Sequence, residues 1–194
     1  QPEEIDEAVL DGIDLFYADF FPGAATVAMA QRCRQRGIPV VLCMQCTPSF
    51  MRMAGNTDEQ INTALALADL IISGRDGYCE WSGISDYQQA LAAVYRQYHP
   101  RFGAVCTAGS TGAIWLQEEQ TFSAKAYSIT PIDSTGAGDS FLGALIHAYF
   151  SEEKTPQEAL NFASAVGAMK CLCFGPRIKV TPDEVLAFMA EHQS

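Results

Sequence analysis

The amino-acid sequence predicts an α/β fold in which a mostly parallel sheet carries helices on both faces. Short β-like runs alternate with helical patterns along the 194 residues. Several of the runs, such as residues 38–43, are almost wholly apolar, as is typical of strands buried in parallel sheets. Capping boxes open three of the helical patterns, beginning at Thr57, Thr155 and Thr181. Strands that alternate with helices in this way form right-handed βαβ units, so we expect a three-layer arrangement.

The first half of the chain is expected to hold four helices and four strands. Asp86 is expected to cap one of the helices. Gly37 stands where another should stop, because glycine accepts the left-handed backbone that ends many helices. In chain order the elements are a helix over 2–10, a strand over 13–18, a helix over 24–36, a strand over 38–43, a helix from Thr57 to about 68, a strand over 69–73, the helix capped by Asp86 and a strand over 102–107.

The second half is expected to begin with a turn over residues 107–112 that contains two glycines. The expected elements after it are a hairpin over 113–116 and 121–124, a β-like run over 126–129, a helix after residue 139, a helix from Thr155 to about 169 and a last helix from Thr181 to about 191. No repeat, low-complexity segment or linker interrupts the chain. Residues 1–194 are therefore expected to form one α/β domain.

Composition and charge exclude several classes of function. The formal net charge is −11, from 12 Lys and Arg against 23 Asp and Glu, which argues against nucleic acid and anionic membranes as partners. No apolar run is long enough to span a membrane, and the first residues do not resemble a signal peptide. Seven cysteines, an odd number, argue against a disulfide framework and favour a cytoplasmic location.

Residues 133–139 are the most informative stretch, because there a loop is expected to become a helix. Apolar residues recur at helical spacing directly after it. The first N–H groups of a helix lack intrahelical partners, and the helix dipole adds positive charge, so such an end binds phosphate readily. Gly136 and Gly138 lack a Cβ and would let the backbone approach a ligand closely.

Asp139 closes this glycine turn. A carboxylate beside an anion-binding site is electrostatically unfavourable, so its presence calls for an explanation. One reading makes it a general base that takes a proton from an attacking hydroxyl while the N–H groups hold a phosphoryl group. The other reading makes it an ordinary N-terminal cap of the helix. Two other phosphate motifs are missing. No Lys follows a Gly as in a P-loop, and Phe141 stands where the dinucleotide fingerprint needs its third glycine.

The run over residues 133–146 resembles the second signature of the ribokinase-like sugar kinases, the phosphofructokinase B (PfkB) type of carbohydrate kinase. Every constrained position of that signature is met. The resemblance implies that Asp139 is the catalytic base. It also implies that the backbone of Gly136, Ala137 and Gly138 forms an anion hole.

Further site residues follow from the same resemblance. Thr107, Gly109 and Gly112 match the family's turn that borders the nucleotide, although an ordinary glycine turn would have the same pattern. Ser164 falls at a position that often contacts the nucleotide, on a helix that lines the adenine pocket. Asp133 and Thr135 match a loop that holds a monovalent cation, K+, in some members of the family, although an Asp that caps its own turn would explain Asp133 as well.

The implied activity is ATP-dependent phosphorylation of a hydroxyl, a primary one, on a sugar or sugar derivative, with ATP and Mg2+ as cofactors. Two alternatives stay open. One is a non-catalytic member of the family that binds a nucleotide or metabolite and regulates a partner. The other is a nucleoside kinase of the same fold.

The chain departs from the family in two places. The family's Asn-x-x-Glu motif, which helps to place magnesium, is missing here, because residues 74–77 read Gly-Arg-Asp-Gly. Asp76 and Glu80 are the candidate substitutes for its glutamate. The resemblance covers the later two thirds of such a kinase, without the first signature, the sugar-contacting strands and the small β lid. Most of the sugar specificity is therefore expected outside these residues. Because the family often dimerises through the lid, a homodimer is compatible with the resemblance.

Overall fold

The computed structural model describes residues 2–192 and divides into two compact units. One unit contains the chain up to Cys106 together with Leu116–Gln120. The other contains Thr107–Trp115 and the chain from Thr121 onward. No helix of the described part is both long and apolar enough to cross a membrane.

Within residues 2–192, six strands form one sheet in which they follow each other in chain order. They are β1 (Phe16–Ala18), β2 (Val40–Met44), β3 (Leu70–Gly74), β4 (Ala104–Thr107), β5 (Ala113–Gln117) and β6 (Gln120–Ala124). The first three are parallel, with Tyr17 opposite Val41 and Leu42 opposite Ile71. Only Glu118 and Glu119 join β5 to β6, and both have positive φ angles, of 49° and 64°, as a tight type I′ hairpin turn requires.

The α-helices of the described chain follow the predicted alternation with the strands. They are α1 (Gly23–Arg36), α2 (Pro48–Met53), α3 (Asp58–Leu67), α4 (Arg75–Ser82), α5 (Tyr87–Tyr98), α6 (Ala137–Ile146), α7 (Pro156–Cys171) and α8 (Pro182–Glu191). The predicted α/β class with a mostly parallel sheet is confirmed. The three capping boxes are confirmed as well, since α3, α7 and α8 each begin with both reciprocal hydrogen bonds.

Several local predictions are wrong. Residues 2–10 form two short 3-10 helices, Pro2–Glu4 and Glu7–Leu10, in place of one helix. Residues 126–129 are not a strand and do not extend the sheet; Ala126, Tyr127 and Ile129 line a cavity instead. Helices α2 and α4 were not predicted, since neither is long enough to show a helical period.

Tyr78 of α4 is a buried polar anchor of the first unit. Its ring is fully buried, and its hydroxyl lies 3.0 Å from the carbonyl oxygen of Ile71 and 3.1 Å from that of Val105. The hydroxyl donates to these strand carbonyls, so it fastens α4 to β3 and β4. Burial raises the pKa of Tyr78 well above its usual range, which keeps the hydroxyl protonated as a donor.

Tyr78→Phe is therefore expected to lower the free energy of unfolding by about 1 kcal/mol, the net contribution of one such hydrogen bond. Urea unfolding followed by circular dichroism measures the change. Tyr87→Phe is the matched control, because the Tyr87 hydroxyl accepts a long contact of 3.4 Å from the neighbouring Gln88 side chain in an exposed setting. Equal stability of the two variants would contradict the anchoring role of Tyr78.

Candidate active site

The second unit contains a cavity of about 380 Å³, within the size range of small-molecule sites. Both glycine loops singled out in the sequence contribute to its wall, together with one face of α7. None of the described residues that line it carries a charge. The lining residues are Thr107, Gly109, Ser110, Gly112, Ala113, Ala126, Tyr127, Ile129, Pro131, Ser134, Ala137, Gly138, Phe141, Ser164, Gly167, Ala168 and Cys171.

The first glycine loop begins where β4 ends, at Thr107. The N–H of Ala108 donates to the carbonyl oxygen of Gly112 at 2.8 Å, which closes the loop on itself. Gly112 has a φ of 109°, and a Cβ there would lie 2.1 Å from the carbonyl oxygen of Ala124. Only glycine fits this position, so the sequence pattern reflects a real constraint on the backbone.

The second glycine loop ends at Gly136, which is the N-cap residue of α6 and has a φ of 78°. A Cβ on Gly136 would lie 2.0 Å from the carbonyl oxygen of Pro176. The N–H of Ala137 donates to the carbonyl oxygen of Ser134 at 3.1 Å, so this group helps to shape the turn. Gly138 is exposed, and nothing lies within 4 Å of the place that its Cβ would take. The helix therefore begins with open space above its first turn.

Asp139 is the third residue of α6 and is exposed. The reading in which it serves as the N-cap is wrong, because Gly136 occupies that position. Asp139 does not itself line the cavity, but it directly follows Gly138, which does. A carboxylate is thus fixed in the first turn of the helix, beside the backbone that could hold a phosphate.

Asp133 organises the loop that leads to this turn. Its carboxylate accepts from the N–H of Thr135 and from the N–H of Gly175, both at 2.9 Å. These bonds, led by the one from Thr135, lower the pKa of Asp133 to about 2, and the positive charge of Lys170 adds to the shift. The reading of Asp133 as a residue that caps its own turn is confirmed.

A monovalent cation at Asp133 and Thr135 does not fit this geometry. The ammonium of Lys170 already lies 3.0 Å from the carbonyl oxygen of Asp133 and 3.2 Å from that of Cys173. A metal cation bound to the same loop would have to share these oxygens with a like charge.

Helix α7 lines the cavity along one face. Ser164 lines the cavity together with Gly167, Ala168 and Cys171, which lie one and two turns further along the helix. The structure therefore brings Ser164 to the same cavity as Thr107 and the glycine loops. Ser164, Gly167, Ala168 and Cys171 line the cavity together because they share one face of α7.

Sequence analysis did not assign the segment over residues 126–131 to the site. Ala126, Tyr127, Ile129 and Pro131 all line the cavity. The ring of Tyr127 packs against that of Phe188, with centroids 5.1 Å apart. A signal was present in Pro131, which breaks a strand, but a run of four residues is too short to distinguish a strand from an extended wall.

The replacement of Asn-x-x-Glu also has a structural reason. Gly77 is buried in α4, and a Cβ there would lie 2.2 Å from the Oγ of Ser73. That Oγ donates to the carbonyl oxygen of Met44 at 3.1 Å, so Ser73 is held in place. A glutamate at position 77 would not fit without a rearrangement of this contact.

The two candidate substitutes differ in their surroundings. The carboxylate of Glu80 accepts from the Oγ of Ser49 at 3.0 Å and lies 3.5 Å from Arg52. The carboxylate of Asp76 is exposed and lies 3.5 Å from Arg75. Each of the two carboxylates therefore has an arginine partner within the first unit. Across residues 2–192, no three His, Cys, Asp or Glu side chains are grouped so that they could hold a metal ion.

Comparison with known proteins now identifies the family. Residues 2–183 match the pfkB family carbohydrate kinase, so the chain belongs to this family. The family membership predicted from residues 133–146 is therefore confirmed.

The chain is similar to two curated relatives with different substrates in their names. An aminoimidazole riboside kinase of Salmonella typhimurium (strain LT2) is 32% identical over 152 residues, or 73% of this chain and 46% of the relative. An ATP-dependent ribose-1-phosphate kinase of Halopiger xanaduensis is 26% identical over 198 residues, or 98% of this chain and 59% of the relative. The chain thus spans about half of the length of these proteins.

Solved structures agree with the fold. The aminoimidazole riboside kinase of Salmonella enterica, in complex with aminoimidazole riboside and an ATP analogue, has a TM-score of 0.72 at 29% identity, over 85% of this chain and 57% of that one. The ribokinase of Thermotoga maritima has a TM-score of 0.78 at 21% identity, over 98% of this chain and 61% of that one. The ribokinase-like fold class predicted from the sequence is confirmed.

Proposed function

We propose that the protein carrying these residues transfers the γ-phosphoryl group of ATP to a hydroxyl of a sugar or sugar derivative. One observation carries the proposal. Two glycine loops and α7 meet at a single uncharged cavity, at the N-terminus of a helix whose third residue is Asp139. Membership of the pfkB family supports the reaction class, and the cavity supports the location.

The start of α6 is the proposed site of the transferring phosphoryl group. Gly136, Ala137 and Gly138 form the turn, and the open space at Gly138 lets an anion reach the backbone. The helix dipole favours negative charge at this end. Loss of one donor from such an anion hole typically costs roughly 3 kcal/mol of transition-state stabilisation.

Asp139 is the proposed general base. Its carboxylate takes the proton of the acceptor hydroxyl, a primary one, while that oxygen attacks the γ-phosphorus. The bond between the γ-phosphorus and the bridging oxygen of ADP breaks, and ADP leaves. The exposure of Asp139 leaves room for an acceptor beside it.

The nucleotide would lie along the rest of the cavity. Thr107, Gly109 and Gly112 border it on one side, and Ser164 stands on the helix that faces the base. The apolar lining suits a stacked purine ring. Magnesium would arrive with the phosphates, since this ion is usually held by one or two carboxylates together with phosphate oxygens. A chain without a dedicated metal cluster in its described part fits that mode of binding.

The acceptor is proposed to be a free sugar or a riboside. Fructokinases are among the relatives, which favours a ketose. The similarity to aminoimidazole riboside kinase at 32% identity favours a nucleoside-like acceptor as the second candidate. Both are small polar molecules, and the acidic chain is expected to act on them in the cytoplasm, away from nucleic acids.

The deciding experiment measures ADP release from ATP and Mg2+ by the protein that carries residues 1–194. The acceptors are a panel of ketoses, aldoses, ribosides and ribose 1-phosphate. Release that depends on one acceptor would establish the kinase and name its class of substrate. If an ATP analogue binds but no acceptor supports release, the regulatory, non-catalytic reading would replace the proposal.

Ser164→Phe is expected to weaken binding of an ATP analogue at least roughly tenfold, because the ring would fill space in the cavity of about 380 Å³ and displace the base. Isothermal titration calorimetry measures the loss. Met169→Phe is the matched control, since Met169 lies on α7 but does not line the cavity. Unchanged affinity in Ser164→Phe would remove α7 from the nucleotide site.

A further inference from the structure

Lys170 is an unusual lysine, because its side chain is fully buried in the second unit. Lysines are almost never buried without partners, since removing an ammonium from water is costly. This one lies in the last turn of α7, where free helix carbonyls and the negative end of the dipole favour a positive charge. The position explains why a charge is tolerated there but not why it points at the loop before α6.

The ammonium contacts the backbone of two segments, the loop before α6 and the segment that follows α7. It donates to the carbonyl oxygen of Asp133 at 3.0 Å and to that of Cys173 at 3.2 Å. The same loop is fastened to the end of α7 by the N–H groups of Ile132 and Asp133, which donate to the carbonyl oxygen of Cys171 at 2.7 and 3.2 Å. Lys170 therefore completes a connection between the two segments.

We propose that the ammonium of Lys170 replaces a monovalent metal cation beneath the loop over residues 133–139, so that this chain orders its anion-binding turn without potassium. The ammonium supplies one positive charge and binds backbone carbonyl oxygens, as a potassium ion would. It is also covalently attached, so the loop is ordered at any salt composition. The consequence for phosphate binding rests on the function proposed above, but the replacement itself rests on the contacts of Lys170.

The charge of Lys170 has a second effect on the loop. Its attraction contributes to holding the Asp133 carboxylate ionised, and that carboxylate accepts the N–H groups of Thr135 and Gly175. Gly136 directly follows Thr135 in the sequence, and its backbone packs closely against Pro176. One buried charge thus ties the segment before α6 to the segment after α7, on both sides of the turn that begins the helix.

The test is the melting temperature of the full chain in KCl, NH4Cl and tetramethylammonium chloride at equal ionic strength, without nucleotide. The native protein is expected to melt at the same temperature in all three salts. Lys170→Ala, which opens a space lined by carbonyl oxygens, is expected to melt lower in tetramethylammonium chloride. It should recover by at least about 4 °C in KCl or NH4Cl, as for a ligand well above its Kd.

Two further variants make the result decisive. Lys170→Met removes the charge but fills the space, so it is expected to melt lower than the native protein in every salt without recovery. Lys125→Ala, at an exposed lysine, is expected to behave as the native protein does. If Lys170→Ala does not fold in tetramethylammonium chloride, the folded fraction on addition of KCl is measured by circular dichroism in its place.

A melting temperature of the native protein that rises with KCl relative to tetramethylammonium would overturn the proposal, because it would reveal a site for an external cation. Absence of any recovery in Lys170→Ala would overturn it as well. Because no nucleotide is present, neither result depends on kinase activity. A failure of the proposed function would appear only in the ADP-release assay.

Discussion

Asp139→Asn is expected to reduce turnover by about 10²–10⁴-fold, the usual contribution of a positioned general base. The amide has the size of the carboxylate but cannot take the proton of the acceptor hydroxyl. Affinity for an ATP analogue is expected to stay within a small factor, because Gly138 and the cavity wall are unchanged. ADP release measures the first quantity, and isothermal titration calorimetry measures the second.

A control must separate the loss of a base from the loss of a first-turn acid. Asp139 lies in the first turn of α6, where a negative charge typically stabilises a helix by 0.3 to about 1 kcal/mol. Asp183 lies in the first turn of α8 and is exposed in the same way. Asp183→Asn is therefore expected to lose a similar small amount of stability with turnover intact. Equal turnover in the two variants would contradict the assignment of Asp139 as the general base.

Local rules were enough to predict most of the fold. A capping box is a contact between residues three apart, so Thr57, Thr155 and Thr181 could be recognised without any tertiary information. Gly37 has a φ of 72° at the end of α1, as expected for a helix stop. Helices α2 and α4 were not predicted because they are short, and a helical period of apolar residues cannot be established over six to eight residues.

The candidate site was predictable in part for the same reason. Gly112 and Gly136 are glycines because a Cβ at either would collide with a distant carbonyl, and the motif records that constraint without naming the partner. The partners, Ala124 and Pro176, are visible only in the folded chain. Lys170 is the clearest example, since an isolated lysine near a helix end looks like an ordinary surface residue. Its burial and its contact with the carbonyl oxygen of Asp133 are visible only in the folded chain.

Gly136→Ala is expected to have the second large effect, on stability and binding together. The residue has a φ of 78°, where a Cβ costs about 1–2 kcal/mol, and the collision with Pro176 adds about 1–3 kcal/mol, for a loss of roughly 2–5 kcal/mol in the free energy of unfolding. Pro176 meets the new Cβ with its backbone, which no rotamer change can relieve. Urea unfolding measures the loss, and it should be accompanied by weaker binding of an ATP analogue.

Two other glycines of α6 show whether binding and folding depend on different atoms. Gly143 is exposed with nothing near its Cβ position, so Gly143→Ala is expected to stabilise the helix by about 0.5–1 kcal/mol without changing binding. Gly138 has the same free space but borders the cavity, so Gly138→Ala should fold normally and still bind the analogue poorly, because its methyl group would occupy the place proposed for the phosphate. Normal binding by Gly138→Ala would show that the open space above α6 does not hold the phosphate. Poor binding in a variant that folds normally would locate the anion at the first turn of α6, independently of the strain at Gly136.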